Sequence, residues 1–589
     1  MKNTIYSLAI FIAAIFTFAS CVDTIPEEVV ESKNVYTDVG SADKAIIGLY
    51  GQFMQLADRV IVLNELRADL MDVTTNADAD LQEISISKPS KNNAWADANP
   101  FYKVIQTCND IMYNFDLMLA DNRLLQQEYA ERYSDVAAIR TWIYLQLGIH
   151  FESVLYITEP IVSKADIEKN NNYLNLDALL PELIRCMEGL PTLENYKSTP
   201  ITGTLDGYNL TQSYIDKRLV LADLYLFNNQ YEQAAQLYRT VMSAGEDKVA
   251  GNNDADRKYR LCTEESWTFG TTAWSYGILN DRYKPEDISS MHNAWREMFG
   301  GVLGQARASW EHIWFFNYDK KFEPAYTLRK LFDPTSKNGN YKLRPSDYSV
   351  EDIWGAETQK NGFNFDARGL TGGIAQQGND YYIKKYSYFD EYPNADTKGG
   401  WWLYRAGMLH LRYAEAVNRA GYPKLAWAIV NDGLFGVTFD FKRADGTAYP
   451  GDSVKVTGYS PFEPYPAPYN FDARYADIGA LRLRGAWRNN RGVRGRANLP
   501  NVNFPTEATT KQDSILFLER FIIAEAAREL GFEGHRWEDL LREARRLNQE
   551  LAGAGNRFLW DENIKKKFDR SGVSGADLST SDKWFLKIN

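Results

Sequence analysis

Apolar residues recur at steps of three and four along much of the chain, the period of a helix with one buried face. Ala45, Ile46, Leu49, Tyr50 and Phe53 form the first such stripe, with Ser41 placed as its N-cap. Residues 101–119 read as a second helix, with Val104, Ile105, Cys108, Ile111 and Met112 on its inner face, and residues 137–151 as a third. Three helical hairpins follow: 217–228 with 231–242, 408–420 with 424–432, and 517–530 with 536–547, where Gly531 stands as a helix-terminating glycine. In the first hairpin Ala222, Tyr225, Ala234 and Tyr238 follow steps of 3, 9 and 4, and in the second Ala414, Val417, Ala426 and Val430 do the same. These are the small and knob positions of a tetratricopeptide hairpin, where Ala allows close helix approach.

Residues 245–400 and 435–510 lose this period and hold stretches such as Asp333-Pro334-Thr335-Ser336-Lys337-Asn338-Gly339-Asn340 and Pro461-Phe462-Glu463-Pro464-Tyr465-Pro466. They are too aromatic for disordered tails and are expected to be ordered insertions on a helical scaffold. The length of 589 residues is thereby absorbed by one mostly α unit rather than several domains. Within it, residues 41–260 form an N-terminal helical region and 261–589 a loop-rich, then helical, C-terminal region.

The first 40 residues differ. Lys2 precedes an apolar run from Leu8 to Ala19, broken only by Thr17 and shorter than the ~20 residues that span a bilayer. It ends in Phe18-Ala19-Ser20-Cys21, two small residues before a Cys, the pattern of a bacterial lipoprotein cleavage site. Residues 1–20 are read as the signal peptide, Cys21 as the acylated residue and 21–40 as a tether. Two or more acyl chains hold stably at ~0.8 kcal/mol per buried methylene.

Charge and composition narrow the chemistry. A net charge of −12 opposes polyanion binding by the protein as a whole. Five His and the isolated Cys108, Cys186 and Cys262 give neither a zinc pattern nor a disulfide framework, and the three thiols are expected to be buried. The 15 Trp, 36 Tyr and 29 Phe are the unusual feature, because rings stack on the flat C–H faces of sugars. Most are expected in the core. Trp95, Trp274, Tyr276, Tyr283 and Trp310 stand beside polar or turn-forming residues and are the aromatic candidates for a ligand surface, with Asn76 and Arg67 as polar candidates.

Several blocks together resemble the SusD/RagB family of nutrient-binding outer-membrane lipoproteins of Bacteroidetes. They are Lys44-Ala45-Ile46-Ile47-Gly48-Leu49-Tyr50, Leu66-Arg67-Ala68-Asp69, Tyr102 to Asn109, Ile139 to Leu147 running on to Thr158-Glu159-Pro160, Tyr413 to Gly421, and above all Arg528-Glu529-Leu530-Gly531-Phe532-Glu533-Gly534-His535-Arg536-Trp537-Glu538-Asp539-Leu540. The chain departs from the family at Met408, where a Glu often follows the Arg405 position, and at a C-terminus without the usual Pro. The resemblance implies a SusD-like fold and a place on the outer-membrane surface, anchored through Cys21. It also implies a SusC-like TonB-dependent transporter as partner, an oligosaccharide ligand and no enzymatic activity. A RagB-like peptide binder of the same architecture, a helical scaffolding protein and a secreted glycosidase are the alternatives.

Three further segments invite chemistry. Glu525, Arg528, Glu529, Arg536 and Asp539 are read as a structural ion-pair network, since opposite charges at such spacings stabilise helices by ~0.2–0.5 kcal/mol a pair. His535 has no acid or nucleophile partner legible in the sequence. Asn76-Ala77-Asp78-Ala79-Asp80 opens like a calcium loop, but Leu81 and Ser87 replace the required Gly and Glu, so neither a metal nor a cofactor is expected. Arg474, Arg482, Arg484, Arg488, Arg491, Arg494 and Arg496 are opposed only by Asp477. Pairing with the protein's own acids is expected there, ahead of an anionic-sugar or transporter contact, and nucleic acid is not.

Overall fold

The computed structural model describes residues 35–196, 204–205, 208–244, 259–261, 267–269, 272–274, 295, 298–299, 311–334, 339–370, 372–387, 398–436, 465–473, 487, 490–505 and 510–588. The main helices are α1 (Val39–Met54), α2 (Ala79–Ser85), α3 (Asn99–Ala120), α4 (Gln126–His150), α5 (Leu176–Glu188), α6 (Lys217–Phe227), α7 (Tyr231–Met242), α8 (Ala406–Arg419), α9 (Pro423–Val430), α10 (Lys511–Leu530), α11 (Arg536–Glu550) and α12 (Lys565–Ser571). Among the described residues, strands pair only in twos. β1 (Met71–Val73) runs antiparallel to β3 (Leu343–Pro345), and β2 (His312–Asp319) to β4 (Lys398–Arg405).

The mostly α scaffold expected from the periodicity is the one observed. Asp38, rather than Ser41, caps α1: its carboxylate accepts from the Ser41 N–H at 2.8 Å while the Ser41 hydroxyl accepts from the Asp38 N–H at 3.0 Å. α4 begins at Gln126, well before residue 137: its first turns, Gln126 to Glu131, are mostly polar and not buried, and so show no apolar stripe. α5, which the sequence reading does not single out, has an inner face of Leu176, Leu179, Leu180, Leu183 and Met187.

α6 packs on α7 and α8 on α9, and α7 also packs on α8, so hairpins remote in sequence are stacked in space. Ala222, Ala234, Ala414 and Ala426 are fully buried at these crossings. The insertions supply an aromatic centre. Phe53 of α1 stacks on Trp314 of β2 and Trp401 of β4 at 5.5 and 5.4 Å, and Trp142 of α4 meets both edge-on.

The turn between α10 and α11 shows why Gly531 is required. Its φ of −48° is open to any residue, and the positive φ values fall on Phe532 and Gly534. A Cβ on Gly531, however, would lie 2.7 Å from the Trp354 ring and 2.8 Å from the Ala527 carbonyl. Glu65, in the π-helical turn Val62–Leu66, holds this corner: its carboxylate accepts from the N–H groups of Phe532, Gly534 and His535 at 3.1, 2.8 and 3.0 Å. Burial outweighs these bonds and raises the carboxyl to about 6. Glu65→Gln turns one acceptor into a donor facing buried N–H groups, and should lower stability by about 1–3 kcal/mol in urea melts at pH 7. An unchanged melt would show that Glu65 does not hold this corner.

Candidate functional site

The candidate surface is the loop carrying Trp95, and short-range polar bonds build it. α2 is capped by Asp78, whose carboxylate accepts from the Leu81 N–H at 3.1 Å and pairs with Lys342 at 2.6 Å. The carboxylates of the would-be calcium loop are thus spent on a helix cap, a lysine and the loop: Asp80 accepts from the Ala94 N–H at 3.0 Å. Buried Asn93 is the hub. Its amide donates to the Asp80 carbonyl and to Glu83, both at 2.9 Å, while its oxygen accepts from the N–H groups of Trp95 and Ala96 at 3.0 and 3.3 Å. From the other side Arg59 donates to the carbonyls of Ala94, Trp95 and Asp97 at 2.6, 2.8 and 3.2 Å, and its guanidinium lies 5.8 Å from the Trp95 ring centroid. Trp95 is half-buried, packed against the core on a fixed backbone.

Asn76 is exposed and donates to the Asn340 carbonyl at 3.1 Å. It sits two residues before the α2 cap, and the Trp95 loop is bonded to the first turn of α2, so both candidates lie at one end of that helix. Arg67 does not join them. It is 1% exposed, donates to the Trp584 carbonyl at 2.7 Å and to His150 Nδ1 at 3.2 Å, and stacks 3.9 Å from the Trp537 ring. Arg67 is therefore an interior strut, and its assignment to the ligand surface is corrected. The backbone of Trp274 lies opposite Trp267 in a short hairpin, but its side chain is outside the described residues, as are Tyr276, Tyr283, Trp310 and the lipidation candidate Cys21. Of the neighbouring aromatics, Trp295, Phe299, Trp314, Phe315, Phe316 and Tyr318 are core. A groove of about 1020 Å³ between α10 and α11, lined by Phe517 and Leu551 among others, holds none of the predicted ligand residues.

Elsewhere in the interior lies a buried charge network. Glu525 meets Arg368 at 2.5 Å, Arg494 at 2.8 Å and Arg528 at 3.6 Å. Glu529 meets Arg405 at 2.5 Å, Arg368 at 3.1 Å and Arg496 closer still. Glu533 binds Lys385 and Arg405, Arg536 binds Asp69, and Asp539 binds Arg412 and Arg542. Within the predicted set of five, only Glu525 and Arg528 pair with each other; apart from Arg542, three residues from Asp539, the other partners are distant in sequence. His535, without a legible partner in the sequence, has one in Glu538 at 3.0 Å. Two residues of the Arg-rich loop end here, Arg494 and Arg496, both buried against Glu357, Glu525, Glu311 and Glu529. Cys108 is buried as expected, whereas Cys186 is half-buried.

No protein-family model matches the sequence, and no curated protein does. Solved structures match over nearly the whole chain. A SusD superfamily protein from Bacteroides vulgatus superposes with a TM-score of 0.53 at 14% identity, covering 94% of this chain and 96% of that one. Surface glycan-binding protein A from Bacteroides uniformis gives 0.53 at 14%, covering 93% and 96%. Surface glycan-binding protein A from Bacteroides thetaiotaomicron, in complex with laminarihexaose, gives 0.51 at 13%, covering 93% and 95%. The fold is SusD-like.

The network has a pH signature. Burial opposes ionisation of Glu525, but Arg368, Arg494 and Arg528 outweigh it and hold the carboxyl at about 2. A folded value below the ordinary one adds stability that is complete above pH ~4.5 and is lost as pH falls toward 2, about 3 kcal/mol in all. Glu525→Gln should therefore be less stable than the native chain by about 3 kcal/mol at pH 7, with the gap more than halved at pH 3. A gap independent of pH in denaturant titrations would contradict this electrostatic account.

Proposed function

We propose that the protein is a cell-surface glycan-binding lipoprotein. It captures oligosaccharides at the face bearing Trp95 and Asn76 and passes them to a SusC-like TonB-dependent transporter in the same outer membrane. The carrying observation is the half-buried Trp95 on a loop whose backbone is fixed by Asn93 and Arg59. The SusD-like fold supports the reading, since a neighbour of that fold is a surface glycan-binding protein in complex with laminarihexaose. Anchoring through Cys21 rests on the lipoprotein pattern of residues 1–21.

The role is one of binding rather than catalysis. A few exposed rings, taken at ~0.5–1.5 kcal/mol each by analogy with aromatic pairs, give at most about millimolar affinity before hydrogen bonds are counted. That suits a polymer of repeated epitopes, where a co-anchored partner raises effective concentration.

The test is a titration of residues 22–589 with oligosaccharides and peptides. Glycan binding that weakens about tenfold in Trp95→Ala, with an unchanged thermal melt, is the expected result; binding to peptides alone would replace the glycan reading with the RagB-like one. Cys21→Ala should release the protein from the membrane fraction. Retention there would remove the anchor from the proposal, and the absence of a large β-barrel from gently solubilised membrane would remove the partner.

A further inference from the structure

A polar pocket that shares no residue with the Trp95 loop is built where four segments distant in sequence meet. We propose that it is a second carbohydrate site, one that takes a neutral oligosaccharide. Its volume is about 430 Å³, within the ~300–1,000 Å³ usual for small-ligand clefts. It is lined by Glu152 just beyond α4, Asn175 and Asp177 at the start of α5, Gln549 on α11, and Asp582 and Phe585 of the C-terminal segment.

Hydrogen bonds hold these walls in place. The Asn175 oxygen caps α5, accepting from the Ala178 N–H at 3.0 Å, and the Gln549 oxygen accepts from the Asn229 amide at 2.7 Å. Asn548, also a lining residue, is spent on the following turn: its oxygen accepts from the N–H groups of Gly555 and Asn556 at 2.9 and 3.3 Å. The C-terminal segment is pinned by the Leu586 N–H to the His150 carbonyl at 2.8 Å, and by the Glu152 N–H to the Leu586 carbonyl at 2.9 Å. Arg545, whose side chain is 12% exposed, pairs with Asp177 and donates to the Phe227 carbonyl at 3.5 Å. The pocket is thus formed before any ligand arrives, which spares binding the cost of ordering it.

The groups these bonds leave over define the ligand. The side-chain amides of Asn175 and Gln549 each keep an NH2 without a partner among the described residues. The carboxylates of Glu152 and Asp582 have no partner there either, and neither has the hydroxyl of Ser581, which lines the same pocket. Donors and acceptors therefore occur together, which suits sugar hydroxyls, since each both gives and takes a hydrogen bond. A bare cation would leave the amide donors unanswered, and three carboxylates against one guanidinium repel an anionic sugar. Phe585, half-buried, adds apolar carbon beside the polar groups for the C–H faces of a ring. Two weak sites on one chain hold a polymer of repeated epitopes better than either alone.

The test is hydrogen exchange on residues 22–589 with millimolar laminarihexaose, maltohexaose, xylohexaose or mannohexaose. At least one of these sugars should slow the hydrogen-bonded amides of Ala178, Lys583 and Trp584 by about threefold or more. It should do so equally in Trp95→Ala, which separates this pocket from the Trp95 face. Asp582→Ala and Glu152→Ala remove exposed side chains that hold no partner, so the thermal melt should not move. Each should raise the sugar concentration needed for protection about five- to tenfold. The proposal is overturned if none of these sugars slows the three amides, or if both substitutions leave the protection as it was. Protection by tetralysine but by no sugar would overturn it too, in favour of a cation site. A failure of the Trp95 reading is seen elsewhere, at the amides of Trp95 and Ala96, so the two sites stand or fall separately.

Discussion

Three carboxylates, Glu525, Glu529 and Glu533, occupy successive turns of α10 and the corner beyond it, and all are buried. An ionised group in the interior costs several kcal/mol unless it is paired and hydrogen-bonded. The chain meets this cost by bringing five cations from four separate segments, with Arg368, Lys385, Arg405 and the pair Arg494 and Arg496 converging on these carboxylates. Four different loops, strands or short helices carry these cations. The pairing requirement therefore fixes where the insertions must dock. A second set on α11 does the same for the stacked hairpins: Glu415 of α8 is shared by Arg542 and Arg546, and Arg412 is shared by Glu538 and Asp539.

That frame reaches the surface through the N-terminal region. Glu65 accepts from three N–H groups of the α10–α11 corner, and Asp69 holds Arg536 through two bonds of 2.7 Å. The same few residues of backbone then pass into β1, α2 and the Trp95 loop. A loop tied at its base to a charge network, and along its length by Asn93 and Arg59, loses little further entropy when it meets a ligand. That advantage matters most for a site with few contacts.

Elements with a clean period were legible in the sequence. The hairpins α6–α7 and α8–α9 were found within about two residues because their Ala and knob positions face one partner each. The first turns of α4 left no trace because Gln126 to Glu131 are mostly polar and not buried, so no apolar residue repeats there. Trp95 was singled out by the Asn and Asp around it, and Asn93 proves to be what fixes it. Arg67 misled because a charged residue within a motif block reads as exposed, although it carries its own partners, a carbonyl, an imidazole and an indole ring, from segments far along the chain.

The sequence alone determined the helical scaffold, the repeat geometry of its hairpins and the presence of too many rings for a plain core, because these depend on spacings within a dozen or so residues. Tertiary structure alone decided which charge answers which. Glu529 has only the like charges of Glu525 and Glu533 at helical spacing, and its stabilising partners Arg405, Arg496 and Arg368 lie 124, 33 and 161 residues away along the chain. Coulomb attraction acts through space and strengthens as water is excluded. A partner that becomes close only after folding leaves no periodic trace in the chain.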